Sequence, residues 1–412
     1  MRVYGILLMS LLTLSSGCQF YLPIAKLDAS ITDGDLPLEV TFHDVSNDGG
    51  QPINHWRWDF GDGNVSTAIN PVHTYTKRGV YTVRLEVETP WGTDDIVVEN
   101  LITVREVIRF PDTRLDAALR VTLKRPLGSI RVGDLEGLRT FDGSESGITN
   151  LAGLDKAINL QQLYLESNNI ADISPLATMG ALRALNLRNN NIANLTPLNG
   201  LTTLRELDLG INHIEDIRPL ASLLKLELLN LERNSELADI RTVDQLRALV
   251  ELSLAFTGIR QSDVVDGEGN GNGLAALSSL AKLTFLDLAA TDIYDLRAIR
   301  NLIALESLIL FECQLENIEP IGRLINLREL QLSANGIIDV APLTPLNQLE
   351  ILTLQMNQIS SLSPLVLNEG LGNNDVIRLT GNPLDSVSLC SAIPTLELRG
   401  VIIEVEQTCG TP

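Results

Sequence analysis

The sequence is poor in the side chains on which most enzymes depend. Of its 412 residues only 4% are aromatic, and it contains four histidines and four cysteines. The histidines are His43, His55, His73 and His213. They show neither the HExxH spacing nor another paired spacing of metal ligands, and the chain has no GxSxG motif or phosphate-binding glycine loop. We therefore expect a protein that is not an enzyme, needs no cofactor and holds no metal ion.

Positive charge is also scarce. The chain has 31 basic and 52 acidic residues, which gives a formal net charge of -21. Such a surface repels both a phosphate backbone and an anionic lipid surface. Nucleic acid is thereby excluded as a partner, and any contact with a membrane is expected through a lipid anchor only.

The N-terminal segment contains an apolar run that is too short to span a bilayer. "MRVYGILLMSLLTLSSGCQF" has an early positive charge at Arg2, an apolar run over residues 3–14, and small residues ending at Cys18. This pattern predicts an export signal over residues 1–17. The ending "LSSGC" resembles a bacterial lipoprotein signal, in which the cysteine is acylated, although Ser15 stands where leucine is usual. The resemblance implies a protein anchored through Cys18 at the outer membrane or cell surface; without acylation it would be secreted.

Export determines how the cysteines are interpreted. Cys390 and Cys409 lie close together in the sequence, in a chain predicted to reach a compartment where disulfides persist. We expect them to form a disulfide. Since the lipoprotein signal accounts for Cys18, only Cys313 is left without a partner.

An internal repeat fills most of the chain. "LQQLYLESNNIADISPLA", "LRALNLRNNNIANLTPLN" and "LRELDLGINHIEDIRPLA" share the pattern LxxLxLxxNxIxxIxPL, and their prolines recur every 22 residues. The LxL core has the period of a short strand, and proline is expected to turn the chain back without a helix. Coils stacked about 4.8 Å apart would form a parallel sheet and a continuous leucine core. The repeat therefore predicts a curved solenoid.

An asparagine follows most of the predicted strands and is expected to pair backbone groups that lose their strand partners. The asparagines at this position are Asn168, Asn190, Asn212, Asn234, Asn335 and Asn357. Thr257, Thr291 and Cys313 fall in the same register. Cys313 is thus predicted to be a small buried residue of this column, and not a nucleophile or a metal ligand.

These repeats resemble leucine-rich repeats of the 22-residue bacterial class typified by internalins, over residues 138–385. The resemblance implies an N-terminal cap, assigned to residues 106–137, and a C-terminal cap, assigned to residues 386–412 and closed by the expected disulfide. In the first cap, apolar residues at helical spacing predict a helix. They are Leu115, Ala118, Leu119 and Val121.

Residues 22–105 have alternating strands and Gly-Asp turns without the 22-residue period. "WDFGDG" and "HTYTKRGVYTV" resemble the diagnostic motifs of the PKD domain, which implies an all-β immunoglobulin-like sandwich after a short tether at residues 18–21. Asp59 and Asp62 are interpreted as turn residues, with calcium binding as the alternative. The insertion at residues 260–273 breaks the repeat; we interpret it as a protruding loop, although its alternating oxygens resemble a calcium loop.

The candidate ligand-binding residues lie on the concave face, in the slots between the strand leucines. Early repeats fill these slots with polar residues: Glu166, Arg188, Glu206, Asp208, Asn230 and Glu232. Later repeats are assigned apolar residues there: Phe256, Phe285, Ile309, Phe311, Ile351 and Met356. Grouped exposed apolar residues indicate a contact surface, unless a cap or the insertion covers them or they are too scattered to form a patch.

The sequence therefore favours a lipid-anchored surface protein that binds or adheres to a protein ligand, with the PKD domain as a spacer. The alternative is a carbohydrate-binding accessory protein of the envelope or of a secreted hydrolase system. Glycan sites favour aromatic side chains that also form hydrogen bonds. The concave face is expected to carry phenylalanine as its only aromatic residue, which makes a carbohydrate ligand the less favoured of the two.

Overall fold

The computed structural model describes residues 21–260 and 274–410. Its residues fall into two compact units, the first ending at Ile108 and the second beginning at Arg109. The predicted export signal, Cys18 and all of the insertion after Arg260 lie outside the described residues. Within the described ranges, no helix has the length and apolar character needed to cross a membrane.

The first unit is built from strands, eight of which form two sheets. The strands are β1 Leu27–Ala29, β2 Asp33–Asp35, β3 Leu38–Asp44, β4 His55–Asp59, β5 Val65–Ser66, β6 Val72–Tyr75, β7 Gly79–Thr89, β8 Gly92–Arg105 and β9 Val107–Ile108. One sheet has the order β1-β3-β6 and the other the order β2-β8-β7-β4-β5. Alternate residues of β3 and β7 are buried, so each sheet turns one apolar face inward. The all-β sandwich expected from the sequence is confirmed.

Aromatic residues dominate the core of this sandwich. Trp58, Phe42 and Tyr75 are fully buried, and the rings of Phe42 and Trp58 lie 5.7 Å apart. The Trp58 indole donates to the Ala68 carbonyl at 3.0 Å, which satisfies its polar group. The hydroxyl of Tyr75 likewise donates to the carbonyl of Phe60 at 3.0 Å.

The "DFGDG" segment is a turn stabilised by its own carboxylates. Asp59 accepts the Gly61 N–H at 2.9 Å, and Asp62 accepts the Asn64 N–H at 3.0 Å. Gly61 has φ +80°, and a Cβ there would lie 2.4 Å from the Thr82 carbonyl oxygen, so only glycine fits. Asp62 also bonds His73 at 2.8 Å. Burial acts to raise the pKa of Asp62, but its hydrogen bonds with His73 and Asn64 outweigh that effect and lower it. Both aspartates therefore have a structural use in the turn.

The second unit consists of a helical start and a long parallel sheet. Its helices are α1 Thr113–Thr122, α2 Val132–Glu136, α3 Ser363–Val366 and α4 Ile393–Leu398. Strand β10 is Ile130–Arg131. The remaining strands are β11 Thr140–Asp142, β12 Gln162–Tyr164, β13 Ala184–Asn186, β14 Glu206–Asp208, β15 Leu228–Asn230, β16 Glu251–Ser253, β17 Phe285–Asp287, β18 Ser307–Ile309, β19 Glu329–Gln331, β20 Ile351–Thr353, β21 Val376–Arg378 and β22 Ile402–Glu404.

Strands β11 to β22 pair in chain order in one parallel 12-stranded sheet, which confirms the predicted solenoid. The register brings the central residue of each strand next to its counterpart, for example Leu163 beside Leu185 and Leu185 beside Leu207. These leucines are at most 2% exposed. The sheet continues through β22, so the segment assigned to the C-terminal cap contributes a strand of its own.

Most prolines of the repeat begin short 3₁₀ helices, among them Ser174–Thr178 and Arg218–Ser222, and Pro364 begins α3. The expectation that the chain turns back without a helix is therefore wrong. Proline suits the first turn of a helix because its missing N–H would be unpaired there in any case. The buried leucine after Pro175, Leu176, closes the core on the side opposite the sheet.

Both ends of the solenoid are tied down by specific contacts. Asp112 caps α1 by accepting from the N–H groups of Arg114 and Leu115, and its second oxygen accepts from the backbone of Thr149 at 2.7 Å. Leu115 and Leu119 are fully buried, as predicted, but Val121 is 80% exposed. The buried face of α1 is thus narrower than the spacing of its apolar residues predicts. At the other end, Cys390 and Cys409 form the expected disulfide.

The asparagine column forms a hydrogen-bonded ladder through the solenoid. Asn212 donates to the carbonyls of Leu187 and Leu209, each at 3.0 Å, and accepts from the Ile192 N–H at 3.0 Å. It thereby joins adjacent coils. The same pattern extends to Asn382, which the sequence missed because it lies 25 residues after Asn357.

Cys313 occupies this ladder, as the register predicts. It is fully buried, its thiol donates to the Leu288 carbonyl at 3.1 Å, and its N–H donates to Asn335 at 3.0 Å. The neighbouring Thr291 also uses its hydroxyl to bond the Leu288 carbonyl. Neither side chain has the carboxamide group with which asparagine joins adjacent coils. Fewer side-chain hydrogen bonds therefore join the coils at this part of the ladder.

Candidate binding surface

The outward side of the parallel sheet is the candidate binding surface, and we call it the strand face. It consists of the first and third residue of each strand from β11 to β22, together with the residue two positions beyond the third in β11 to β21. Because strand side chains alternate, these residues point away from the leucine core. All polar slots assigned from the early repeats lie on it.

Three of the predicted apolar residues lie on two adjacent strands of this face, or just beyond one of them. Phe285 begins β17, Ile309 ends β18, and Phe311 lies two residues beyond Ile309. The register pairs Phe285 with Ser307 and Asp287 with Ile309, so Phe285 and Ile309 are diagonal neighbours on adjacent strands. All three side chains are half-buried. We call Phe285, Ile309 and Phe311 the apolar patch.

The other predicted apolar residues lie apart from the patch. Ile351 is on the strand face of β20 and is 37% exposed, with β19 between it and β18. Phe256 and Met356 were assigned to strand slots, and this assignment is wrong. Both have a left-handed backbone, with φ +55° and +54°, directly before the ladder residue. They are 39% and 68% exposed at the border of the strand face.

Phe256 nevertheless has an ordered polar neighbour. The guanidinium carbon of Arg233 lies 4.5 Å from the centre of the Phe256 ring, which is a cation–π contact. Arg233 has the same left-handed position in the preceding repeat, with φ +56°. The two residues therefore stack along the edge of the face.

The polar part of the strand face contains an ion pair that crosses one strand. Arg188 pairs with Glu232, 44 residues away, although the intervening repeat lies between them. That repeat has Gly210 at the same position, where a Cβ would lie 2.6 Å from the Arg188 guanidinium. Glycine at this site makes the ion pair sterically accessible. No pairwise spacing in the sequence suggested this contact.

Two carboxylates on the strand face are half-buried. Asp208 accepts the Gly210 N–H at 2.9 Å, and Asp287 accepts the Ala289 N–H at 2.9 Å. Burial raises the pKa of Asp208, opposed by the Gly210 N–H, and burial also raises the pKa of Asp287, where the charge of Glu232 adds to the effect. Each ionised carboxylate would therefore be stabilised by a cation placed beside it.

Tyr164 was missed by sequence reasoning as a residue of this face. It ends β12 and is half-buried on the strand face, so the expectation that the aromatics there are phenylalanines alone is wrong. The alternation in "LYL" would have placed it correctly.

A shallow groove also lies beside the strands. It has a volume of about 670 Å³ and is lined by polar and apolar residues at the start of the later repeats. These include Thr284, Glu306, Ile325, Asn326 and Arg328. Arg328 pairs with Glu350 at its border.

Family models match two parts of the chain. Residues 22–104 match the PKD domain, and residues 158–200 and 180–222 match leucine-rich repeats. Collagenase ColQ1 of Bacillus cereus is 36% identical over 103 residues, which are 24% of this chain and 11% of that protein. The chain thus spans about a tenth of the length of that curated relative.

Solved structures resemble the solenoid. An internalin, inlF, from Listeria monocytogenes is 26% identical, with a TM-score of 0.60 over 72% of this chain and 91% of its own. The functional domain of InlJ from the same species, which includes a cysteine ladder, is 23% identical, with a TM-score of 0.56 over 67% of this chain and 56% of its own. The similarity to InlJ concerns the fold alone. The protein therefore consists of an N-terminal PKD-like β-sandwich and a parallel-strand solenoid of the internalin-type leucine-rich-repeat fold.

Proposed function

We propose that this protein is a non-enzymatic binding protein of the bacterial cell surface that recognises a protein ligand through the strand face of its solenoid. The observation that carries the proposal is the apolar patch. Phe285, Ile309 and Phe311 lie on a sheet whose equivalent positions in earlier repeats are mostly polar, with Ala184 and Leu228 as apolar exceptions at the position of Phe285. The leucine core does not require apolar residues there, whereas a partner surface does.

The two units have different roles in this proposal. The solenoid supplies the recognition surface, and its likeness to an internalin supports a protein ligand and adhesion. The PKD-like sandwich acts as a spacer, and its similarity to part of a collagenase supports an accessory and non-catalytic role outside the cell. Export and acylation of Cys18 would hold the protein at the envelope.

A carbohydrate ligand is the alternative, and Tyr164 is the observation that favours it. A tyrosine offers a glycan both a ring face and a hydroxyl. However, it lies on β12, five strands before β17, so it cannot act together with the apolar patch on one small glycan. The patch therefore favours a protein ligand.

The test is capture of proteins from a bacterial envelope extract by the full chain and by Phe285→Ser/Phe311→Ser. Burying each ring in an interface is worth about 2 kcal/mol, so the double variant should lose the captured protein. Its melting temperature should change little because half-exposed residues rarely support the fold.

Val121→Ser is the matched control, since it removes an exposed apolar side chain away from the strand face. It should capture the same protein as the unchanged chain. A large loss of stability in the double variant would show that the rings belong to the core. Full retention of binding would move the site to the polar early repeats, and binding to a glycan array that depends on Tyr164 would support the alternative.

A further inference from the structure

Three carboxylates border Phe285 and Ile309 of the apolar patch, and none of them has an ion-pair partner among the described residues. Glu251 is the register partner of Phe285, and Asp287 is the register partner of Ile309. Glu329 lies on the next strand beside Ser307, from which it accepts a hydrogen bond at 3.1 Å. The patch is thus bordered by negative charge on β16, β17 and β19.

The strand face as a whole has the same sign. Its acidic residues are Asp142, Glu166, Glu206, Asp208, Glu232, Glu251, Asp287, Glu329 and Glu404. Its basic residues are Arg188 and Arg378, and they pair with Glu232 and Glu404. No strand-face arginine or lysine of the described residues therefore remains to neutralise the carboxylates beside the patch.

We propose that the partner is a basic protein segment, in which an apolar side chain is flanked by lysine or arginine. This proposal rests on the proposed function, because it concerns the same surface. Complementary charge steers a partner onto its site and rejects partners of the wrong sign. The half-buried carboxylate of Asp287, whose surroundings disfavour its charge, would gain from such a cation.

The geometry also defines the spacing in the partner. Glu251 on β16 and Glu329 on β19 are three strand spacings apart, or about 14 Å. An extended segment advances about 3.3 Å per residue and turns alternate side chains to one side, so residues i and i+4 span this distance with i+2 between them. The partner pattern is therefore basic, any, apolar, any, basic, with the apolar side chain over Phe285 and Ile309. A neutral glycan lacks the cations, and a nucleic acid is repelled.

The test is a fluorescence-anisotropy titration of the full chain with a labelled peptide in which Lys, Phe and Lys alternate with serines. Two comparison peptides replace either both lysines by glutamates or the phenylalanine by serine. The lysine and phenylalanine peptide should bind, both comparison peptides should bind at least about tenfold more weakly, and added salt should weaken binding because it screens the charges.

Variants of the protein test whether the peptide binds beside Glu251 and Glu329 in particular. Glu251→Gln/Glu329→Gln should weaken binding of the lysine and phenylalanine peptide about tenfold. Glu166→Gln/Glu206→Gln is the matched control, with the same chemical change and the same net charge on an earlier part of the strand face. This control should bind the peptide unchanged.

The outcomes separate this proposal from the proposed function. If Phe285→Ser/Phe311→Ser loses its envelope partner while Glu251→Gln/Glu329→Gln keeps it and the peptide does not bind, the surface is correct and the basic partner is wrong. Equal weakening by both charge variants would show long-range attraction and overturn the local site. Equal binding of the lysine and glutamate peptides would also overturn it.

Discussion

At the scale of single residues, Cys313 shows how strongly its surroundings control the chemistry of a side chain. It is fully buried, and burial raises the pKa of its thiol to about 11 from an ordinary value of 9.0. The thiolate, and not the thiol, reacts with alkylating agents. The structure therefore predicts a cysteine that is chemically inert in the folded chain.

We expect iodoacetamide to leave Cys313 unlabelled in the native protein at pH 8 and to label it fully after denaturation. The raised pKa reduces the thiolate fraction about 100-fold, and burial blocks access to the sulfur. Mass spectrometry of the peptide containing Cys313 measures both states. Cys390 and Cys409 should stay unlabelled in either state until the disulfide is reduced. Rapid native labelling of Cys313 would contradict its place in the ladder.

The sequence predicted residue positions well where the repeat governs them and poorly where the backbone departs from it. Cys313 was placed correctly because it shares the register of the asparagines. Phe256 and Met356 were misplaced because strand alternation was extended past the three-residue strand, into a backbone that has already become left-handed. Val121 was misplaced because helical spacing alone does not show how wide a face the solenoid covers.

At the scale of elements, the contact between helix α1 and the first coil depends on Asp112. Its carboxylate accepts five hydrogen bonds, from Arg114, Leu115, Thr149 and Asn150, and is nearly buried. Burial alone would raise the pKa of Asp112, but these hydrogen bonds outweigh burial and lower it to about 2 from 3.8. Sequence reasoning identified the helix and missed this residue, because its second set of partners lies in a loop 37 residues away.

Asp112→Ala should lower the free energy of unfolding by about 2 kcal/mol at pH 7. Because the folded pKa is depressed, the ionic part of this stabilisation is present above about pH 4 and is lost as the pH falls toward 2. The difference between the two proteins in urea unfolding, followed by circular dichroism, should therefore shrink between pH 5 and pH 2. Asp112→Asn keeps one acceptor oxygen and should lie between them. A difference that is constant with pH would show that the charge contributes nothing.

Contacts between elements were the least predictable feature. The ion pair of Arg188 with Glu232 depends on an absent side chain, that of Gly210, in the coil between them. A periodic pattern shows which residues share a column but not which of them reach across a neighbour. The apolar patch was predictable because its members lie on adjacent strands whose register the repeat fixes. Its acidic border depends on the strand register, which places Glu251 beside Phe285.

At the scale of the whole molecule, the sandwich and the solenoid each have a core of their own, and both were recognisable from the sequence. The sandwich was visible through its turn motifs, and the solenoid through a period repeated many times. Such repetition makes a prediction robust because each copy tests the same pattern. The ligand has no comparable signature, since the strand face varies from repeat to repeat while the core does not.

The net charge of the chain bears on its proposed attachment to a membrane. A formal charge of -21 gives no attraction to anionic lipids, so attachment would depend on acyl chains at Cys18. Each buried CH₂ contributes about 0.8 kcal/mol, and two or more chains hold a protein firmly where a single chain is marginal.

We therefore expect Cys18→Ala to accumulate as the unprocessed precursor or to move from the membrane fraction to the soluble fraction, with loss of labelling by a palmitate analogue. Ser16→Ala, which changes a neighbouring residue and keeps the cysteine, should remain processed and membrane-bound. Fractionation of cells followed by immunoblotting measures both variants. If Cys18→Ala were processed, fractionated and labelled like the unchanged protein, the anchor would have to lie elsewhere. The proposed function would then require another attachment that presents the strand face to its partner.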